Sequence, residues 1–332
     1  MAISRPVVAV TMGDPAGIGP EVAVKAARDA AVRRACRVVL VGDPLLLQQA
    51  HAPRWPVRKS DEPTAAGAPV VVEALPGLKP GRIRPGRSSR AGGEAAYRYI
   101  LRAVDLIKEG AADAMATAPI SKKALNDAGH LYPGHTELLA DLARTREVRM
   151  MLHGARLKVV LATVHLPLTE VAAALTRARV RTTVELTHRA LREWFGVAEP
   201  RVAVAAVNPH GGEDGMFGQE ERRVIRPAVR DCATRGMDVS GPIPADSLFH
   251  RAAQGEFDAV VCMYHDQGLG PFKLLHFTDG VNLTLGLPLI RTSVDHGTAY
   301  DIAGKGVADS RSMKQAILLA AELARRTSRP GP

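Results

Sequence analysis

Residues 159–168 read VVLATVHLPL: a run of β-branched and small apolar residues that stops at His165 and turns at Leu166-Pro167. A short apolar run bounded by a proline turn predicts a strand buried on both faces. The pattern returns twice. Residues 203–213, AVAAVNPHGGE, carry His210 just beyond their apolar run, and residues 258–268, DAVVCMYHDQG, carry His265. Three buried strands separated by helix-length segments predict an α/β fold. In such folds ligands bind beyond the carboxyl ends of the strands. Three imidazoles delivered to those ends suggest a divalent-metal site, since neutral imidazole suits zinc, cobalt, nickel and iron. A lone strand-end histidine is commonly structural, so the weight lies in the repetition. The spacings match no local metal motif such as HExxH, and any site must be assembled by tertiary or quaternary structure.

Working outward, strands are expected at 7–12, 37–41, 112–118, 157–164, 202–207 and 258–263. Helices are expected at about 20–34, 92–109, 168–175, 179–195, 218–235 and 312–326. Residues 52–90 are rich in Pro, Gly and Arg around Val70–Val72 and read as loops with one short strand. With 332 residues the chain suggests two domains or one large α/β unit. The texture changes after Ala128. The expected division is a first α/β domain at 1–128 plus about 305–332, and a second at about 129–304.

Composition narrows the function classes. Hydrophobic residues make up 46% and charged residues 23%, as in an ordinary globular protein, while aromatics are only 4%. Net charge is +10, but the arginines are scattered, no nucleic-acid motif occurs and few aromatics exist to stack on bases. A nucleic-acid partner is therefore not expected; the charge suits attraction of small anions such as phosphates. Three cysteines without CxxC spacing fit a reducing compartment. No apolar run reaches the ~18 residues of a membrane span, and the start MAISRPVVAV lacks a signal-peptide pattern. The expectation is a cytoplasmic protein without a membrane partner.

Several segments can carry chemistry. Gly13, Asp14, Gly17 and Gly19 lie in GDPAGIGPE, between a strand and a helix, where glycines let backbone N–H groups approach an anion. A tight structural turn is the equal alternative, and the segment is not GxGxxG. In GHTE, His135 and Thr136 open a helix; the Thr136 hydroxyl suits either a helix cap or an anion contact. Asp246 in GPIPAD and Asp266 beside His265 can fix an imidazole tautomer or cap a turn. Within residues 263–306, Lys273, Asn282, Arg291 and His296 are polar groups among apolar ones. Such groups need fixed partners, either a structural ion pair or a bound anion for which arginine offers a bidentate fork.

The motifs TMGDPAGIGPEV, GHTE, ATVHLPL, NPHGGE, GPIPAD, MYHDQGL and GVNLTLGLPLIRTSVDHGTAYDIAGKG, in this order, resemble the 4-hydroxythreonine-4-phosphate dehydrogenase family of pyridoxal 5′-phosphate biosynthesis. The likeness covers residues from about 6 to 325, and its later motifs are long and specific. GDPAGIGPE is also similar to the start of isocitrate and isopropylmalate dehydrogenases. The resemblance implies their fold: two α/β domains with a cleft between them. It implies one divalent metal (Zn, Mg or Co) on His165, His210 and His265, in a site shared between the two subunits of a homodimer. It implies substrate contacts from His135, Thr136, Lys273, Asn282 and Arg291, and catalytic roles among Lys273, Asp246 and Asp266, with Lys273 or Asp246 as the base. NAD or NADP would bind with help from Gly13, Asp14, Gly17 and Gly19. The implied reaction is metal-assisted oxidation of 4-phosphooxy-L-threonine to 2-amino-3-oxo-4-phosphooxybutanoate, which decarboxylates to 3-amino-2-oxopropyl phosphate.

Residues 119–132 and 211–221 depart from the best-known members. They are similar to sister branches that oxidise phosphorylated D-threonate or D-erythronate, or a dihydrodiol dicarboxylate. The substrate thus stays open among these. A phosphometabolite-binding protein, or a phosphate acyltransferase relative of the same fold, is the reading from another class. The complete histidine set argues against it.

Overall fold

The computed structural model describes residues 5–58, 68–75 and 83–327. The parts of the expected loop region at 59–67 and 76–82 lie outside the described residues. The chain forms two compact units, one of residues 1–146 and 287–332 and one of residues 147–286.

The first segment of unit 1 runs β1 (Val7–Thr11), α1 (Gly19–Arg28), α2 (Ala30–Ala35), β2 (Arg37–Gly42), α3 (Pro44–Gln49), β3 (Val57–Arg58), β4 (Val70–Ala74), α4 (Arg90–Lys108), β5 (Ala114–Thr117), α5 (Lys122–Asp127) and α6 (His135–Leu142). Unit 2 holds β6 (Arg149–His153), β7 (Lys158–Leu161), α7 (Leu168–Ala174), α8 (Arg177–Glu193), β8 (Arg201–Ala205), α9 (Arg226–Ala233), β9 (Asp238–Ile243), α10 (Ala245–Ala253), β10 (Ala259–Cys262), α11 (His265–His276) and β11 (Val281–Leu285). The chain returns to unit 1 with β12 (Arg291–Ser293) and α12 (Arg311–Thr327).

In unit 1 the strands lie in the order β3-β4-β2-β1-β5-β12, every neighbouring pair parallel. In unit 2 the order is β11-β6-β7-β10-β8-β9. There β6 runs antiparallel to both β11 and β7, while β7, β10, β8 and β9 are mutually parallel. Parallel strands covered on both faces read as continuous apolar runs, and β7, β8 and β10 do so. Their core packs Val159, Leu161, Ala203, Ala205, Val260 and Cys262 together with Phe272 of α11. The long α4 is started by Ser89, whose hydroxyl accepts from Gly92 N.

Local chemistry corrects several expected boundaries. The helix expected over 20–34 is two helices, because Asp29 takes an extended conformation and its carboxylate caps α2 through Ala31 N. The helix expected over 218–235 is a π-helical turn at Glu221–Ile225 followed by α9. Residues 129–146 and 287–304, expected with the second domain, belong to unit 1. His130 stacks on Tyr97 of α4 with ring centroids 3.5 Å apart and bonds Glu94 at 2.8 Å. β12 pairs with β5. The texture change at Ala128 therefore marks the end of α5.

Candidate active site

Because β7, β10 and β8 are parallel neighbours, their carboxyl ends share one side of the unit 2 sheet. His165, His265 and His210 follow those ends in that order. The His165 and His265 rings lie 5.9 Å apart between centroids, tilted by 39°. Below them the strand exits are tied together: Thr163 N and Oγ1 both donate to Met263 O, at 3.2 and 2.7 Å. His265 opens α11, and its Nδ1 lies 2.6 Å from Asp266 Oδ1. With Nδ1–H donating to that carboxylate, the Nε2 lone pair is left for a metal. The donor set fits a divalent cation of the imidazole-loving kind. His210 stays apart: among the described residues no group of three or more His, Cys, Asp or Glu side chains is placed to hold a metal ion within one chain.

The loop bearing His210 is unusual in its backbone. His210, Gly211, Gly212, Glu213 and Asp214 all have positive φ, from 41° to 82°. Left-handed conformations cost a non-glycine residue about 1 kcal/mol or more, so three of them in succession with two glycines require support from outside the turn. It comes from Glu221, 2% exposed, whose carboxylate accepts from Val207 N, Asn208 N and Asn208 Nδ2 at 2.8, 2.7 and 2.9 Å. Gly211 approaches Pro244, two residues before Asp246. Asp246 itself is exposed and accepts from Ser247 N. Lys273 lies on α11 with its ammonium 5.5 Å from the Phe277 ring centre. Asn282 lies on β11 and carries a buried Oδ1 with no hydrogen-bond partner.

Unit 1 builds a second polar cluster. Arg291 is 2% exposed, and its Nη2 donates to Thr117 Oγ1 at 2.8 Å, along the register that sets Arg291 beside Met115 and Ser293 beside Thr117. Burial lowers the guanidinium to about 9, against the opposing pull of Glu137, so it stays charged at neutral pH. His135 is neutral: burial, then the Arg291 charge, pushes it well below the usual imidazole range. Its Nε2 is buried without a partner. The expected cap at Thr136 is absent, because α6 starts at His135 with Gly134 as N-cap and no side-chain cap bond. The first amides of α6, the Thr136 hydroxyl, a neutral imidazole and a buried guanidinium together suit an anion.

The GDPAGIGPE turn is different. Residues 13–19 are all buried. A Cβ on Gly13 would meet Pro119 O at 2.3 Å, one on Gly17 Thr298 O at 2.7 Å and one on Gly19 Met12 O at 2.2 Å. Asp14 accepts from Ala16 N at 2.9 Å and from the Tyr300 hydroxyl at 2.5 Å, while burial pushes its carboxyl up. The glycines serve close backbone packing, and Gly17 also lines a cavity with Pro15, Pro20, Pro85 and Gly304. What they hold is the exposed loop around His296 and Gly297, through Ile18 N to Thr298 O at 2.9 Å.

The sequence profile of "Pyridoxal phosphate biosynthetic protein PdxA" matches residues 34–320. The chain belongs to the PdxA family. A PdxA-type relative from Geobacter metallireducens, named 4-hydroxythreonine-4-phosphate dehydrogenase, is 52% identical over 98% of this chain and 97% of its own length. A D-threonate 4-phosphate dehydrogenase from Cupriavidus necator is 46% identical over 97% of this chain and 98% of its own. The crystal structure of a 4-hydroxythreonine-4-phosphate dehydrogenase from Klebsiella pneumoniae superposes with a TM-score of 0.89 at 45% identity, covering 98% of this chain and all of that one. The PdxA architecture is thus the α/β fold expected. Among the described residues no helix is long and apolar enough to cross a membrane. Sequence reasoning missed two polar residues of these clusters, Glu221 and Thr117. Nothing local marks them; each acts on a partner from another element.

Proposed function

We propose that this PdxA-family dehydrogenase oxidises 4-phosphooxy-L-threonine with NAD or NADP, giving 2-amino-3-oxo-4-phosphooxybutanoate, which loses CO2 to give 3-amino-2-oxopropyl phosphate. The observation that carries the reading is the pair of clusters. Paired strand-end histidines, one of them bonded through Nδ1 to Asp266, suit a metal, and a buried Arg291 beside neutral His135 suits an anion.

His165, His210 and His265 would hold the cation, which when bound supplies Lewis-acid polarisation of the substrate oxygen. Asp266 keeps His265 in the ligating tautomer. Arg291, held by Thr117, presents its fork to the phosphate or carboxylate, and His135 Nε2 and the Thr136 hydroxyl complete the anion's hydrogen bonds. Asn282 contributes a buried amide oxygen for a substrate donor. Lys273 or Asp246 takes the hydroxyl proton; both lie on elements that adjoin the histidine loops. A bound nicotinamide cofactor would supply the hydride acceptor. Gly13, Asp14, Gly17 and Gly19 would adjoin its site, Gly17 through the cavity it lines.

The active form is a homodimer in which a second copy completes the metal site. Support comes from the described residues of one chain, which offer no group of three metal-ligating side chains, and from exposed apolar side chains: Leu168 after His165, Met216 and Phe217 after His210, and Leu274 and Phe277 farther along α11. Its place is the cytoplasm, which three buried unpaired cysteines support.

The test is a panel of phosphorylated hydroxy acids assayed by nicotinamide absorbance with added zinc, cobalt or magnesium. The 4-phosphooxy-L-threonine arm should give the highest kcat/KM. A higher value with D-threonate 4-phosphate would assign the chain to the sister activity, and no turnover on any substrate would favour a binding protein.

A further inference from the structure

We infer that Glu221 is the positioning residue for His210: a buried carboxylate that holds the left-handed turn in the conformation presenting this imidazole to the metal. The inference rests on His210 being a metal ligand. Three backbone bonds at the margins of the turn are long: Gly211 N to Asn208 O at 3.3 Å, Phe217 N to Gly212 O at 3.2 Å and Met216 N to Glu213 O at 3.1 Å. Those to Glu221 are shorter, at 2.7–2.9 Å, and they grip the chain where it leaves β8. Glu221 arrives from a different element, the π-helical turn before α9. Its side chain also sets the space above it. A Cβ on Gly212 would lie 2.7 Å from Glu221 Oε2, so a larger residue there would displace the carboxylate.

The donor count explains why a carboxylate is needed. Oε1 takes two backbone N–H groups and Oε2 takes one hydrogen of the Asn208 amide. The other hydrogen of that amide goes to Glu220 Oε2 at 2.7 Å. All the groups facing Glu221 are donors. A glutamine must turn its own NH2 toward one of them and leave a buried clash of donors. The consequence falls on His210, whose ring stands over Phe217 with centroids 6.2 Å apart and whose backbone sits at φ 53° only while the turn is held. Loss of a residue that orients a ligand commonly costs about 10–100-fold in metal affinity.

The experiment compares the full-length wild type with Glu221→Gln, Asn208→Ala and His210→Ala. Cobalt(II) dissociation constants are read from the visible absorption of the metal, and hydrogen exchange of amides 207–215 is read in the metal-free proteins. Glu221→Gln should bind cobalt about 10–100-fold more weakly and exchange these amides faster, with its melting temperature within a few degrees of wild type. Asn208→Ala keeps the two backbone bonds and should lose only several-fold. Cobalt affinity of Glu221→Gln within twofold of wild type overturns the inference. Should Glu221→Gln fail to fold, wild-type affinity in Asn208→Ala overturns it equally. A wild type that binds no cobalt fails at the metal reading itself and takes this inference with it.

Discussion

Two glycine-rich strand exits in this chain look alike in sequence and do opposite work. The exit of β1, residues 13–19, is buried throughout, and its glycines are there because neighbouring backbone leaves no room for a Cβ. The exit of β8, residues 208–215, is partly exposed, and its glycines share a left-handed turn with His210, Glu213 and Asp214. Glycine supplies two different properties, absence of bulk at the first exit and freedom of φ at the second. Only the second leaves side chains free to meet a ligand. The first sustains the fold and, through Thr298, an outer loop.

The sharpest way to break this contrast is a methyl group at each exit. Gly13→Ala should cost about 3 kcal/mol or more, since the added carbon meets a backbone oxygen and φ is +68°. Thermal or denaturant unfolding reads the loss, and activity should fall only as far as the folded fraction does. A stable Gly13→Ala protein with altered cofactor KM would return this turn to a direct binding role.

Next in size is Arg291→Lys. The charge is kept but the fork and its bond to Thr117 are lost, so kcat/KM should fall about 10–100-fold, or roughly 1.5–3 kcal/mol, with the loss weighted to KM. Wild-type kinetics in this variant would remove the anion role.

Smaller still is a pH effect from two half-buried imidazoles. Burial, then Lys158, lowers His153 to about 4, and burial lowers His135 as well. The unfolded chain binds these protons from about pH 6.5 downward while the native protein refuses them. Stability should therefore be level above that point and decline as pH falls toward 4. His153 alone should account for about 1–2 kcal/mol by pH 5. Melting temperatures of His153→Gln measured across this range should fall less steeply than those of wild type; parallel curves would exclude His153 as a source.

The mildest expected change closes the comparison. Gly211→Ala adds a carbon that meets only Pro244, at an ordinary 3.8 Å, so the cost is the left-handed backbone alone, about 1 kcal/mol. Equal destabilisation by Gly13→Ala and Gly211→Ala would abolish the distinction between the two exits.

How much of this was readable in the sequence follows from the range of the forces involved. The strands carrying the three histidines were legible because burial on both faces leaves an unbroken apolar run, and Gly110 set the end of α4 by a local rule, while its start, expected at 92, lies at Arg90 after the Ser89 cap. Helix α11 was not legible: Gly268, Gly270 and Pro271 argue against a helix, and it forms because Phe272 is drawn into the core. The break at Asp29 was missed since a cap inside a continuous amphipathic pattern looks like one more polar residue. In the candidate site, residue types pointed to His165, His210, His265 and Arg291. They could not point to Glu221 or Thr117, whose roles exist only when another element meets them. The two GDPAGIGPE readings differed only in burial, which a single sequence does not record.

The central claim is that the exposed histidine exits of unit 2 hold one divalent cation on which oxidation depends. The most direct measurement is metal content, by inductively coupled plasma mass spectrometry, of the wild type and of His165→Ala, His210→Ala and His265→Ala after equilibration with zinc or cobalt. The wild type should carry one cation per active site. Each variant should carry none and lose turnover, with circular dichroism and melting temperature close to wild type. Full metal occupancy in any one of the three folded variants would contradict the account.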